Sequence, residues 1–315
     1  MAGSSSTVAI VGAGSVGSTL AYQLAIQGIV PDIALIDTNR EKAEAEALDI
    51  SQGTPLGRTV RVQATGYEAC GTAGIVIITA GAKQKPGETR IALLERNAAL
   101  TRSVTRSVVD AGFGGIFVVI SNPVDVLTYL VRKESGFAAD RVIGSGTILD
   151  SARLRAYIGR HCRVSGQNIH AYVLGEHGDT SVPAWSLLSI AGVRLVDYCP
   201  TCGQTCSLLS IKDEAQRYVR EAAYSIIKAK GSTYYAVAQA VSILIQAIVR
   251  DERRILPVST VHQSWEGVSD TAFSLPTLVS ASGAEKVLRV KLASEERDGL
   301  IESARFIAGA IASVA

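Results

Sequence analysis

The chain has 315 residues, 47% of them hydrophobic, a length that buries a substantial core and suggests about two domains. Lys and Arg number 31 against 29 Asp and Glu, and a formal charge of +2 gives no general electrostatic reason to expect nucleic acid or a membrane as the main partner. The opening "MAGSSSTVAI" lacks the basic stretch, apolar run and cleavage site of an export signal, and no later run approaches the roughly eighteen apolar residues of a membrane span, so a cytoplasmic protein is expected.

In chain order, "TVAIVG", "DIALID", "VRVQAT", "IVIITA" and "IFVVIS" read as strands. Their near-continuous apolar character indicates strands covered on both faces of a parallel sheet. Between the first two, Val16, Leu20 and Leu24 make an apolar helical stripe that Gly28 and Pro31 close. "TNREKAEAEALDI" is a charged amphipathic helix, and residues 91–110 form another. The pattern is α/β, a Rossmann-type doubly wound sheet, and assigns a dinucleotide-binding domain to residues 1–146.

Residues 147–315 read differently, as an α+β domain. A helix is expected over about 149–160, extended segments at "NIHAYVLG" and "VRLVDY", then long helices. Val237, Val241, Leu244 and Ile248 keep helical spacing, so one face of that helix is buried. Pro257 and Pro276 lie in "RILPVSTV" and "AFSLPTLVS", read as antiparallel strands with the prolines at edge positions. Ser294 ahead of "EERDG" reads as the cap of a terminal helix with an acidic first turn.

Five cysteines fit reduced thiols better than a disulfide framework, with Cys70 and Cys162 as small core or surface residues. Cys199, Cys202 and Cys206 in "DYCPTCGQTC" supply three thiols, but a zinc site needs a fourth ligand and no histidine is near. No metal is expected, and the segment reads as a surface loop.

"VAIVGAGSVGSTLAYQL" places Gly12, Gly14 and Gly17 as G-x-G-x-x-G directly after a strand and at the start of a helix, with Val16 in the same cradle. Glycine permits the tight turn and close backbone approach, and the helix N-terminus offers N–H groups and positive dipole to a pyrophosphate. Asp37 ends the second strand, where a carboxylate accepts hydrogen bonds from a ribose 2′-hydroxyl and repels a 2′-phosphate, which favours NAD over NADP. The plainer alternative is that the glycines only permit close packing and Asp37 only ends a strand. Thr79 to Ala82, including Gly81, and Ile120 to Asn122 should line the same crevice.

Hydride transfer from an alcohol needs a base for the hydroxyl proton and charge to stabilise the oxygen. His177 in "VLGEHGDT" is framed by glycines, and imidazole titrates near working pH. Asp150 in "GTILDSARLR" is a candidate to orient it, with Arg153 three residues on along one helix face. The alternative for this pair is an intrahelical salt bridge worth a few tenths of a kcal/mol.

With these residues in place, the chain resembles the lactate/malate dehydrogenase family over essentially its whole length. "GAGSVGS", "ALID", "TAGAKQKPGETR", "SNPVDVLTYL", "VIGSGTILDSARLR", "GEHGDTSVP" and "KGSTYYAV" carry the resemblance, all in order. It implies His177 as acid/base, Asp150 as its partner and Arg153 as the fork that grips the substrate carboxylate. It also implies Arg90 as the residue that polarises the carbonyl, on a loop with Gly81 and Gly87 as hinges, and Asn122 as a hydrogen-bond partner of the substrate oxygen.

Gln84 matches the loop residue that faces the substrate's variable group, where the family's malate branch carries arginine. A neutral residue there suits pyruvate and L-lactate, since a second carboxylate buried without a cation costs about 2 to 5 kcal/mol, roughly thirty-fold to several thousand-fold in selectivity. Thr233, where the malate branch commonly has alanine, points the same way. Lys83 and Lys85 read as solvated loop charges; turned inward, either would partly neutralise a second carboxylate and allow some oxaloacetate reduction. Malate dehydrogenase or a broader L-2-hydroxy acid dehydrogenase is the alternative. The resemblance further implies a homo-oligomer, dimer or tetramer, and activation by fructose 1,6-bisphosphate through Arg155 and His170, two such pairs meeting across a twofold axis.

Overall fold

The computed structural model describes residues 7–82, 87, 89–201, 203 and 207–314, without the side chain of Arg90. Lys83, Gln84, Lys85, Cys202 and Cys206 lie outside the described residues.

The first half runs β1 (Thr7–Val11), α1 (Ser15–Gln27), β2 (Asp32–Ile36), α2 (Arg40–Gly53), β3 (Arg61–Ala64), β4 (Ile75–Ile78), α3 (Arg90–Asp110), β5 (Ile116–Val119), α4 (Val124–Ser135) and β6 (Val142–Gly144). The six strands pair in parallel in the order 3-2-1-4-5-6. β4 and β5 are buried at every residue, which is why their sequences show no polar alternation. α1 ends where expected, with Gly28 in the left-handed region at φ 60° and its N–H returned to Leu24 and Ala25.

The second half continues with α5 (Ile148–Cys162), β7 (Ile169–His170), β8 (Val173–Leu174), β9 (Val182–Pro183), β10 (Ser189–Ile190), β11 (Val193–Arg194), α6 (Leu195–Tyr198), α7 (Leu208–Lys230), α8 (Tyr235–Val249), β12 (Arg254–Trp265), β13 (Val268–Ser280), β14 (Gly283–Val287) and α9 (Ser294–Ala312). β12 joins β6 through Ser259 and Gly144, so one nine-stranded sheet crosses the division expected at residues 146 and 147. On one face α8 buries Val241, Leu244 and Ile248 in a single cluster with Leu20 and Leu24 of α1, as the helical spacing of both predicts. α3, α4 and α9 supply much of the core on the other face.

Three expectations are corrected. Pro257 and Pro276 are not at an edge: they face each other in register on β12 and β13, both interior to the sheet order. An antiparallel ladder contains pairs that exchange no hydrogen bonds, and two residues without an N–H fit such a pair. Their carbonyls are used elsewhere, accepting from Thr147 and Leu288. "VRLVDY" is extended only at β11, and its remainder forms α6, because Leu195 and Tyr198, one turn apart, pack into the core beneath while Val193 and Val196 are exposed. Ser294 is the first helical residue and not the cap; the Glu296 carboxylate reaches back to the N–H of Ala293 at 3.1 Å.

Candidate active site

The strand order reverses between the parallel neighbours β1 and β4, and the carboxyl ends of these strands are where such a sheet offers a ligand crevice. Gly12 has φ 111°, and a Cβ there would stand 2.6 Å from Thr79 Oγ1 and 2.7 Å from the Ala80 nitrogen. A Cβ on Gly17 would fall 1.9 Å from the Gly12 carbonyl oxygen. Thr79 closes this turn by donating to the Gly12 carbonyl at 2.7 Å. Asp37 at the end of β2 accepts the Ala13 N–H at 2.7 Å and the Asn39 N–H at 2.9 Å, so it holds the glycine turn and keeps lone pairs for a hydroxyl.

A second cluster forms where the first turn of α5 meets the loop after β8. His177 Nδ1 is 2.6 Å from Asp150 Oδ2, and Arg153 Nη1 donates to Asp150 Oδ1 at 2.8 Å. Side-chain exposure falls from 24% at His177 to 12% at Arg153 and 7% at Asp150, so the carboxylate is the protected member. Burial works against the Asp150 charge, but the charges and hydrogen bonds of His177 and Arg153 outweigh it and hold the carboxyl below its usual range. A carboxylate can only accept, so Nδ1 carries the proton of that bond and Nε2 is left as the ring's exchangeable site. The Asp150 charge is the main reason His177 is raised to about 9, against the opposing effect of burial. This ring can hold a proton at neutral pH and give it up to a group of matching basicity.

The loop carrying His177 is tied down on several sides. Gly175, at φ 86°, exchanges two backbone hydrogen bonds with Ser274, each 2.9 Å. Ser303 of α9 accepts the Glu176 N–H at 2.9 Å, and Tyr224 of α7 donates to Asp179 at 3.1 Å.

Residues 6–144 match the lactate/malate dehydrogenase NAD binding domain, and residues 147–314 match the lactate/malate dehydrogenase alpha/beta C-terminal domain. The chain belongs to the lactate/malate dehydrogenase family. It is 46% identical over 289 residues to an L-lactate dehydrogenase of Acetivibrio thermocellus, covering 92% of this chain and 91% of that one. With an L-lactate dehydrogenase of Clostridium perfringens it shares 43% over 306 residues, covering 97% and 96%. Among solved structures, a lactate dehydrogenase from a Medee basin deep-sea metagenome superposes with a TM-score of 0.95 at 38% identity, covering 98% of each chain. The minor L-lactate dehydrogenase of Enterococcus mundtii in its ligands-bound form gives 0.94 at 38% identity, again covering 98% of each.

The cofactor of this family's N-terminal domain is NAD, and the residues present fit it. Gly14 caps α1 without a side-chain hydrogen bond, and no atom lies within 4 Å of where its Cβ would be. The first turn of α1, Val16 and Gly17 included, therefore opens its N–H groups onto unfilled space beside the Asp37 carboxylate, as a pyrophosphate and ribose require. Gly81, Ala82 and Asn122 stand on the strand ends across the crevice. Asn97 of α3, 4% exposed and passed over in the sequence, links them: its Oδ1 accepts the Ala82 N–H at 2.8 Å and its Nδ2 donates to the Asn122 carbonyl at 3.2 Å.

The other expected site residues are spread out. Thr233 is half-buried just ahead of α8. Arg155 lies on α5, its Nε donating to the Gly166 carbonyl at 3.1 Å, and His170 is exposed on β7. Gln84 and the Arg90 side chain fall outside the described residues. Among the described residues no cluster of three or more side chains could hold a metal ion, and no helix is long and apolar enough to cross a membrane. The sequence also gave no prominence to Asp125, which is 3% exposed and accepts the backbone N–H of His177 at 2.8 Å. An acid in the first turn of a helix is too common to have marked it.

Proposed function

We propose that the protein is an NAD-dependent L-lactate dehydrogenase interconverting pyruvate and L-lactate. The observation that carries this reading is the carboxylate of Asp150 shared between the His177 imidazole and the Arg153 guanidinium. Bound NADH supplies a hydride to the carbonyl carbon, and NAD accepts it in the reverse direction. In reduction, charged His177 gives its Nε2 proton to the carbonyl oxygen; in oxidation, the neutral ring takes the hydroxyl proton. Asp150 fixes the tautomer and stabilises the charged ring.

Arg153 spends one nitrogen on Asp150 and retains N–H groups for the substrate carboxylate. Arg90 polarises the carbonyl, Asn122 hydrogen-bonds the substrate oxygen, and Thr233 and Gln84 bound the methyl end. Gly12, Gly14, Val16 and Gly17 cradle the pyrophosphate, Asp37 takes the ribose, and Gly81, Ala82 and Asn122 meet the rest of the dinucleotide. The relatives named L-lactate dehydrogenase support the choice of substrate. Oxaloacetate reduction is the second reading, which neutral Gln84 disfavours.

Arg155 and His170 are proposed to bind fructose 1,6-bisphosphate, paired with their copies in a cytoplasmic homo-oligomer. Exposed Tyr22 and Ile26 on α1 and Leu48 on α2 support association of copies. One assay tests the reading: NADH oxidation with pyruvate, oxaloacetate and 2-oxoisocaproate in parallel, each with and without fructose 1,6-bisphosphate. Pyruvate is expected to lead, and more so with the bisphosphate. Equal turnover of oxaloacetate would overturn the substrate assignment, and an unchanged pyruvate KM and subunit association would overturn the bisphosphate site.

A further inference from the structure

His177 is met by a second carboxylate that the roles above do not use. Asp125 is the second residue of α4, in its first turn, and its Oδ2 accepts the His177 backbone N–H at 2.8 Å. Its Oδ1 is buried, with the Ser259 hydroxyl of β12 beside the carboxylate and partly relieving its charge.

We propose that Asp125 is a positioning residue for the acid–base histidine: one oxygen clamps the turn that aims the imidazole, and its buried negative charge favours the imidazolium. The proposal rests on the reading of His177 as the acid/base. The charged groups that act on the ring are Asp150 and Arg153 from α5 and Asp125 from α4, while Glu176 of its own loop acts on Asp125. β12 contributes the Ser259 hydroxyl near Asp125, α9 the Ser303 hydroxyl at the loop, and α7 reaches the loop through Tyr224 at Asp179. Asp125 thus adds to Asp150 in favouring the charged ring, while Arg153 opposes it. Burial raises Asp125 itself to about 6, against the relief supplied by Ser259 and His177, so its charge is present at neutral pH and fades in mild acid.

Asp125→Asn separates charge from clamp, because the amide oxygen still accepts the His177 N–H. The rate of diethylpyrocarbonate modification at His177 against pH, read by mass spectrometry of its peptide, reports the ring's ionisation without reference to turnover. The midpoint is expected to fall by roughly one unit in Asp125→Asn. Asp125→Glu, which keeps the charge, should return it toward the wild-type value. A midpoint unchanged in Asp125→Asn, or lowered as far in Asp125→Glu, overturns the proposal. Should Asp125→Asn fail to fold, the wild-type His177 backbone amide, followed by NMR, is expected to show an inflection near 6 from Asp125 as well as the ring's near 9, and an amide that follows the ring alone overturns it. His177→Asn tests the underlying reading separately: retained pyruvate reduction would remove His177 as acid/base whatever the Asp125 variants do.

Discussion

Replacing Asp150 with Asn withdraws the charge that His177 and Arg153 share. In the wild type the ring ionises at about 9, chiefly because of that charge. Without it the ring returns to about 6.5 or below, a change of about 2.5 units or about 3 kcal/mol. Pyruvate reduction needs the charged ring, so the cost depends on pH: about fourfold at pH 7, where roughly a quarter of the variant is still charged, rising to about three-hundred-fold above pH 9. A pH-independent factor adds to this, since Asn can offer its oxygen to Nδ1–H only by turning its NH2 toward the Arg153 guanidinium, donor against donor. The assay is kcat/KM for pyruvate between pH 6 and about 10 at saturating NADH. A variant profile parallel to the wild type, with its midpoint still near 9, would refute the assignment of Asp150 as the source of the ring's basicity. The same shift bears on stability. A histidine raised from 6.5 to about 9 on folding contributes stability that is complete below pH 6.5 and lost as pH rises through about 9, so the wild type should soften in that alkaline window and Asp150→Asn should show less of this loss.

Arg153→Lys keeps a positive charge but loses the planar fork, and is expected to raise the pyruvate KM about tenfold to a hundredfold; a KM within about twofold of wild type would deny Arg153 the carboxylate. Gln84→Arg should gain oxaloacetate activity and lose pyruvate activity, and steady-state kinetics without an exchange of preference would remove Gln84 from the selectivity argument. His262, on β12 against Phe273, is held down to about 4 by burial, so its neutral form contributes stability above pH 6.5 that is lost as pH falls toward 4, up to about 3 kcal/mol. His262→Gln should flatten this acid dependence in urea unfolding at pH 7 and about 5; an equal slope in both proteins would place the acid sensitivity elsewhere.

The dinucleotide crevice was legible because its requirements are local. Gly17 is forced by the Gly12 carbonyl within its own strand–turn–helix, whereas Gly12, through its φ of 111°, is required by the turn itself and also by Thr79 and Ala80 at the end of β4. His177 and Asp150 lie 27 residues apart, and the sequence suggested their pairing only through what an imidazole needs chemically. Asp125 and Asn97 had no such announcement, since one looks like ordinary first-turn charge and the other like a polar residue on an amphipathic helix, and each acquires meaning through contacts 15 to 52 residues away. The proline pair was misread for the same reason: a single proline suggests an edge, and only the register between two strands shows that neither residue owes its neighbour an N–H.

The sheet topology explains why two acids converge on one histidine. β5 and β6 are adjacent and parallel, and each is followed by a helix, α4 and α5, so both helices begin at the same end of the sheet. Asp125 and Asp150 stand in those first turns, where the helix dipole favours an anion. One approaches His177 at its backbone and the other at its ring, so aim and basicity come from neighbouring helix ends anchored to one rigid pair of strands. Moving either helix by an ångström would therefore disturb the direction of the imidazole and its affinity for a proton together, a coupling that a carboxylate on a surface loop would not impose.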